Sequence, residues 1–272
     1  MTSVTLHQRE PRCLRWRKQF PFLGARGYPV HMAPDAQTFP DALSAMELFH
    51  GLPASALETV AVAARVRRLP KDMRIFNQGD PDARAHAVIE GVVRIVQSGS
   101  DGAQAILRLV GPGEIFGTVA LFADGCYPAD AVTVSETLEI SWSKSELLDL
   151  MARYPLVAIN VIRIVGKRLQ DVQERVRELA TLNAERRVAH AVLRLARQAG
   201  HGATDGTAID FPLRRKDVAD IAGTTLHTAS RILTAWEKAG LLVTRRQHLT
   251  IRQPAQLLRI AEDGADQGGR SR

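Results

Sequence analysis

The sequence predicts an α+β fold in three parts: a β-barrel of the jelly-roll kind, one long helix, and a C-terminal winged helix-turn-helix. Three observations carry this reading. Short apolar runs split by glycines fill residues 47–150, as in small antiparallel barrels. An unbroken apolar repeat runs through residues 155–182. Two short helical patterns flank Gly223, and a hairpin pattern follows them.

The 272 residues leave room for two domains. The formal net charge is +7, unevenly spread. Residues 1–40 hold six Lys/Arg against two acids, residues 41–182 hold 15 against 18, and residues 183–272 hold 15 against nine. An acidic middle joined to a basic end suits a sensor or assembly domain attached to a nucleic-acid domain. The two cysteines, Cys13 and Cys126, exclude a four-cysteine iron–sulfur site and any CxxC zinc motif. They fit a reducing, cytoplasmic setting. No run of about 18 apolar residues exists, so no membrane span is expected.

Residues 1–40 are basic, contain five prolines and lack the apolar core of a secretory signal. They read as a disordered arm, or as a start placed too early, with Met32 or Met46 as alternatives. Residues 41–154 form the barrel. The runs R-I-F-N-Q-G-D, A-V-I-E-G-V-V-R-I-V, A-I-L-R-L-V-G-P-G-E-I-F-G, A-V-T-V and L-E-I-S-W supply the strands. Such a barrel encloses either a small ligand cavity or a filled core.

Residues 155–182 form the long helix. Ile162, Leu169 and Val176 occupy one seam position, and Val165, Val172 and Leu179 the other. The 3-4-3-4-3 spacing keeps them on one stripe of a coiled coil. Charged residues cover most of the remaining circumference, which favours dimerisation over packing on the helix's own domain.

Residues 183–262 form the last domain, and 263–272 read as a disordered tail. Val218, Ile221 and Ala222 make one apolar face; Ala229, Ile232, Leu233 and Trp236 make another, at i, i+3, i+4 and i+7. The opposite face of the second helix offers His227, Ser230, Arg231 and Thr234. Gly223 permits the turn, and Thr224 or Thr225 can cap the second helix. A helical hairpin with a solvated face would share this pattern. The hairpin after Gly240, with its turn at Arg245-Arg246-Gln247, favours a wing beside a DNA-recognition helix. Thr225, His227, Thr228, Ser230, Arg231 and Thr234 are the candidate contacts of the helix, and Arg245 and Arg246 the phosphate contacts of the wing. A dimer would present two such helices to a near-palindromic operator on double-stranded DNA. No nucleophile–base constellation, P-loop or metal-spaced His/Cys set appears, which argues against an enzyme.

F-N-Q-G-D (76–80), G-P-G-E-I-F-G (111–117) with A-L-F (120–122), and G-T-T-L-H-T-A-S-R-I-L (223–233) resemble the Crp/Fnr family of bacterial transcription regulators. The resemblance spans about residues 45–262. It implies a cyclic-nucleotide-binding-type barrel, a dimerisation helix and regulated promoter binding, with RNA polymerase as a partner if the protein activates. The family's effector pocket would fall at Gly117, Thr118, Pro128 and Ala129. In cAMP-binding members a Glu for the ribose and an Arg-Ser pair for the phosphate stand where Thr118, Pro128 and Ala129 stand here. Without that Arg the phosphate lacks its charge-assisted partner, so cAMP is not expected. Cys13 alone cannot supply the N-terminal cysteine cluster of the iron–sulfur members.

C-Y-P-A-D-A-V (126–132) and the recognition helix resemble the nitric-oxide-responsive branch that controls denitrification genes. That resemblance makes haem a candidate cofactor, with His86, His50 and Cys126 as candidate ligands. Many family members carry a Glu where His227 stands, whereas Arg231 matches the family's guanine-reading Arg. The alternative reading is a constitutive DNA-binding regulator whose barrel takes no small-molecule effector.

Overall fold

A computed structural model describes residues 38–81, 83–99, 104–122, 125–203, 206–209 and 211–263. Residues 1–37, Cys13 among them, and the tail from 264 lie outside the described residues. The first helix, α1 (Thr38–Ser44), begins inside the segment assigned from sequence to the arm, so the folded part starts before residue 41.

A 3₁₀ turn (Glu47–Phe49) and α2 (Ala54–Val62) lead into eight strands. These are β1 (Arg65–Leu69), β2 (Arg74–Phe76), β3 (Arg84–Glu90), β4 (Val93–Ser98), β5 (Gln104–Val110), β6 (Ile115–Phe116), β7 (Asp130–Thr133) and β8 (Thr137–Ser143). A short helix, α3 (Thr118–Phe122), follows β6. The strands form two four-stranded sheets, ordered β1-β8-β3-β6 and β2-β7-β4-β5. The expected jelly roll is therefore a sandwich of two sheets.

Strand alternation divides the first sheet's side chains between two cores. Ala85, Ala87, Ile140 and Trp142 pack with Leu43, Phe49, Leu57 and Val157 on the helical side. Trp142 donates its indole N–H to the carbonyl of Val60 at 3.1 Å. His86, Glu139 and Ser141 belong to the other face, toward Phe76, Phe116 and Tyr127. Helix α4 (Lys144–Arg153) starts on a capping box: Ser143 Oγ accepts from the Glu146 N–H, and the Glu146 carboxylate accepts from the Ser143 N–H.

Helix α5 (Pro155–Thr181) has 27 residues, a length of about 40 Å. It carries two different faces. Val157, Asn160 and Ile164 are buried against the sandwich, and Asn160 Nδ2 donates to the carbonyls of Leu48 and His50 at 3.1 and 3.0 Å. Packing on its own domain and offering a seam are thus not alternatives. The six seam residues, Ile162 to Leu179, are 47–71% exposed. An apolar stripe of this regularity left open to water marks an association surface.

The last domain comprises α6 (Ala184–Ala199), β9 (Gly200–Ala203), β10 (Gly206–Ile209), α7 (Arg215–Ala222), α8 (Leu226–Lys238), β11 (Leu242–Arg245), β12 (His248–Ile251) and α9 (Pro254–Asp263). The expected wing is β11–β12, and it belongs to a four-stranded sheet ordered β11-β12-β10-β9. The two extra strands, rich in glycine and short, carried no legible signal. This domain shares a core with the sandwich: Val92, Val96, Ile106 and Leu109 cluster with Val188, Phe211 and Leu213.

The seam yields a direct test. Replacing Leu169 and Val176 together by Lys places like charges across the stripe and is expected to convert dimers into monomers with weak operator affinity. Sedimentation velocity reads the outcome, and an undiminished dimer would contradict the seam assignment.

Candidate nucleic-acid interface and sensor site

The turn between α7 and α8 is built as the sequence indicates. Gly223 adopts a left-handed conformation, φ 59° and ψ 44°, which an L side chain enters only at a cost. A Cβ there would also lie 2.6 Å from Leu179 Cδ2, at the end of the dimer seam. Of the two candidate caps, Thr225 acts: its Oγ1 accepts from the Thr228 N–H at 3.1 Å. Val218, Ile221, Ala222, Ala229, Ile232, Leu233 and Trp236 are all buried. Thr225, His227 and Arg231 are exposed, and Thr228 and Ser230 half-buried. Arg245 and Arg246 are exposed at the wing, where Arg245 still pairs with His248 as strand and Arg246 and Gln247 form the turn at φ 48° and 69°.

Thr234, half-buried, has a partner within the motif. Its Oγ1 accepts from Arg215 Nη1 at 2.7 Å, and the same nitrogen donates to the Ser230 carbonyl at 2.7 Å. Arg215 Nη2 also pairs with Glu237 at 2.8 Å. Thr234 therefore belongs to a clamp that fixes the angle between α7 and α8. Sequence reading missed Arg215 because its partners lie 15–22 residues downstream.

A second clamp ties this motif to the long helix. Arg187 Nε donates to the Ala222 carbonyl at 3.0 Å, Nη2 to the Gly223 carbonyl at 3.2 Å and Nη1 to the Leu182 carbonyl at 2.7 Å. Glu178, on α5, is buried and accepts from Arg194 at 2.5 Å, with half-buried His190 at 3.6 Å. The end of the seam, the interdomain hinge and the turn are thus one bonded unit.

With a relative from Thermus thermophilus, described as a cyclic AMP receptor protein, the chain is 33% identical over 214 residues, 79% of this chain and 96% of that protein. The chain belongs to the Crp/Fnr family. The model of the cyclic nucleotide-binding domain matches residues 66–154, and that of the Crp-like helix-turn-helix domain residues 186–260. The nitrogen fixation regulation protein FixK of Azorhizobium caulinodans is 31% identical over 189 residues, 69% of this chain and 73% of that protein. The fold matches the structure of FixK2 from Bradyrhizobium japonicum with a TM-score of 0.65 at 24% identity, over 74% of this chain and 99% of that one. Crp/Fnr proteins are DNA-binding transcription regulators that act as dimers. No helix among the described residues is long and apolar enough to cross a membrane.

Within this Crp/Fnr sensor domain, Gly117, one of the pocket residues expected from the resemblance, backs onto a packed cluster of rings. Gly117 is at φ 77°, and a Cβ there would lie 2.7 Å from the Arg84 carbonyl oxygen and 2.9 Å from His86 Cδ2. Thr118 and Ala129 are buried, and Pro128 lies at the surface. The space behind Gly117 is filled by His86, Tyr127, Phe76 and Phe116; Tyr127 stacks on Phe76 with ring centroids 3.6 Å apart.

His86 is the centre of a hydrogen-bonded chain. The Arg84 N–H donates to Tyr127 Oη at 2.7 Å, Tyr127 Oη lies 2.8 Å from His86 Nε2, and His86 Nδ1 lies 2.5 Å from Glu139 Oε1. Arg67 Nε donates to Glu139 Oε2 at 2.8 Å. Burial drives the His86 pKa below its ordinary 6.5, against the pull of Glu139. Burial pushes Glu139 up, but the His86 and Arg67 hydrogen bonds outweigh it and hold the carboxyl below its ordinary 4.5. Burial raises the Tyr127 hydroxyl to about 12. A neutral His86 donating from Nδ1 and accepting at Nε2 satisfies every member of the chain.

Iron ligation through His86 Nε2 would require Tyr127 Oη to give way, while the Nδ1–Glu139 bond is of the kind that orients a ligating histidine. Both His86 nitrogens are engaged. His50, exposed after the 3₁₀ turn, and Cys126, half-buried before β7, sit on other segments. Sequence reading placed His86 in its strand but missed Glu139, 53 residues away.

The chain makes stability depend on pH with a definite sign. The folded state keeps His86 neutral while the unfolded chain protonates it below about 6.5, so this contribution is complete above that pH and lost as pH falls through it. Glu139 adds a second loss, beginning below about 4.5. Urea unfolding at pH 8, 6.5 and 5.5 should therefore show a decline that His86→Phe reduces; equal slopes for both proteins would contradict it. Glu139→Ala strands the buried His86 donor and the half-buried Arg67 donor and should cost about 1–3 kcal/mol at pH 7.

Proposed function

We propose that this Crp/Fnr chain is a homodimeric, effector-gated, sequence-specific regulator that responds to nitric oxide or a related signal and not to cAMP. The observation that carries the DNA-reading part is helix α8. It buries Ala229, Ile232, Leu233 and Trp236 and leaves His227 and Arg231 in solvent, the division a helix laid in a major groove requires.

The choice of signal rests on the likeness of residues 126–132 and 223–233 to the nitric-oxide-responsive branch. The relatives do not choose for it: one is described as a cyclic AMP receptor, and a protein of matching fold from Xanthomonas campestris as responsive to c-di-GMP. Against cAMP stand Thr118, Pro128 and Ala129, which provide no guanidinium for the phosphate, and the ring cluster behind Gly117. Haem, with His86, His50 and Cys126 as the candidate ligands, is the cofactor through which nitric oxide would act. The filled space behind Gly117 favours the second reading, a constitutive regulator without an effector. Operator binding measured with and without nitric oxide separates the two: a changed affinity supports gating, and an unchanged affinity across all candidate ligands supports the constitutive reading.

Arg231 is expected to make the largest base-specific contact, since a bidentate Arg–guanine pair contributes about 1–3 kcal/mol of discrimination. Arg231→Ala should lose specific binding and keep most salt-dependent non-specific binding. Removing Arg245 and Arg246 should weaken all DNA alike and flatten the salt dependence. His227→Glu should shift the preferred half-site toward a cytosine contact. Selection from a random DNA pool tests these; an unchanged consensus for both helix variants would mean that α8 does not read bases.

Cyclic AMP is expected to give no heat of binding at micromolar concentration. Tight calorimetric binding in the sandwich would overturn that part of the proposal.

A further inference from the structure

The first sheet presents an unusual inner wall. Arg65 and Arg67 on β1, Arg84 on β3 and Ser141 on β8 line a cavity of about 190 Å³, floored by His86 and Tyr127. None of Gly117, Thr118, Pro128 or Ala129 lines it. It adjoins the position of Gly117, which packs on the far side of His86 and Tyr127.

The charge of this cavity is positive and incompletely answered. Arg67 uses Nε on Glu139, and no hydrogen bond of its two Nη atoms occurs among the described residues. Arg84 spends Nε and Nη2 on Ser141 and Nη2 also on Glu146 at 3.3 Å; its Nη1 makes no bond among the described residues. Arg65 is exposed and makes no ion pair among them. The lining carboxylate, Asp80, is turned to Asn77, accepting from its N–H at 2.8 Å and its Nδ2 at 2.9 Å. Glu139 is committed to Arg67 and His86. Three guanidiniums thus converge with donors to spare, the arrangement that receives the oxygens of a phosphate or carboxylate.

Size narrows the class. Pockets for drug-sized ligands measure about 300–1,000 Å³, and this one is smaller, about six waters' share of liquid volume. A compact anion matches this volume.

From these observations we infer that the cavity is a binding site for a small oxyanion, a phosphate or a short dicarboxylate, held by Arg65, Arg67 and Arg84. The inference rests on the effector-gated reading only for its consequence. An anion on Arg67 acts directly on the group that holds Glu139, and through Glu139 on His86; Arg84 holds Tyr127 by its backbone N–H. Those rings close against Gly117 on the turn after β6. The β6 carbonyl of Ile115 in turn accepts from Arg108 at 2.9 Å and from Arg168 of the dimerisation helix α5. A continuous set of contacts therefore joins the cavity to the helix that carries the seam.

The test is calorimetric titration of the full-length protein, in a chloride buffer at pH 7, with inorganic phosphate and separately with succinate. At least one probe should bind once per protomer. Arg65→Gln, which removes no described contact, and Arg67→Lys, which keeps a charge beside Glu139, should each weaken binding by about tenfold or more. Arg231→Ala, on the DNA face, should not. Binding of phosphate alone or succinate alone assigns the oxyanion. No binding of either probe, or equal binding by Arg65→Gln and Arg67→Lys, overturns the site. Operator affinity at saturating anion is the separate reading: if binding is normal and operator affinity does not move, gating by this ligand falls while the site stands.

Discussion

Helix α5 meets two different demands on its surface, and the rest of the molecule follows from how they are met. One stripe, with Val157, Asn160 and Ile164, is consumed by the sandwich. The other, from Ile162 to Leu179, faces water with six large apolar side chains. Each such side chain contributes about 1.5–3 kcal/mol when fully buried, so a second copy is the covering that makes the fold consistent. At its C-terminal end the same stripe touches the turn of the DNA-reading motif through Leu179 and Gly223. Dimerisation and the placement of the recognition helices are therefore not separate properties.

The sensor and DNA-binding domains are linked by more than chain connectivity. Arg187 bonds the hinge to the helix-turn-helix, and Val92, Val96, Ile106 and Leu109 share a core with Phe211 and Leu213. A shift of the β4–β5 hairpin or of α5 would have to be matched by the recognition helix, because packed interiors do not deform continuously. The buried His86–Glu139 chain inside the sandwich is the polar element on which such a shift could be imposed, since its members are satisfied by one another and by Arg67.

The long-period features were legible in the sequence. The seam of α5, the two apolar faces around Gly223, the cap at Thr225 and the wing all follow from local spacing and turn chemistry. The structure places Thr234 in the Arg215 clamp, and it fills the space behind Gly117 with rings. Both outcomes depend on partners distant in sequence: Thr234 with Arg215, Gly117 with His86 and Tyr127. Strands β9 and β10 escaped detection because Gly200, Gly202 and Gly206 break the alternation that marks a strand. The cavity arginines were hidden for a similar reason. Arg65 and Arg67 look like solvated charges on an edge strand until β8 and β3 are placed beside them.

Two copies joined along α5 would present two recognition helices to one duplex. Hydroxyl-radical footprinting on a selected operator tests it most directly. Such a dimer should give two protected half-sites on one face of the duplex, related by a two-fold axis and separated by about one helical turn or a multiple of it. A single asymmetric footprint, with one protomer bound per duplex, would contradict it.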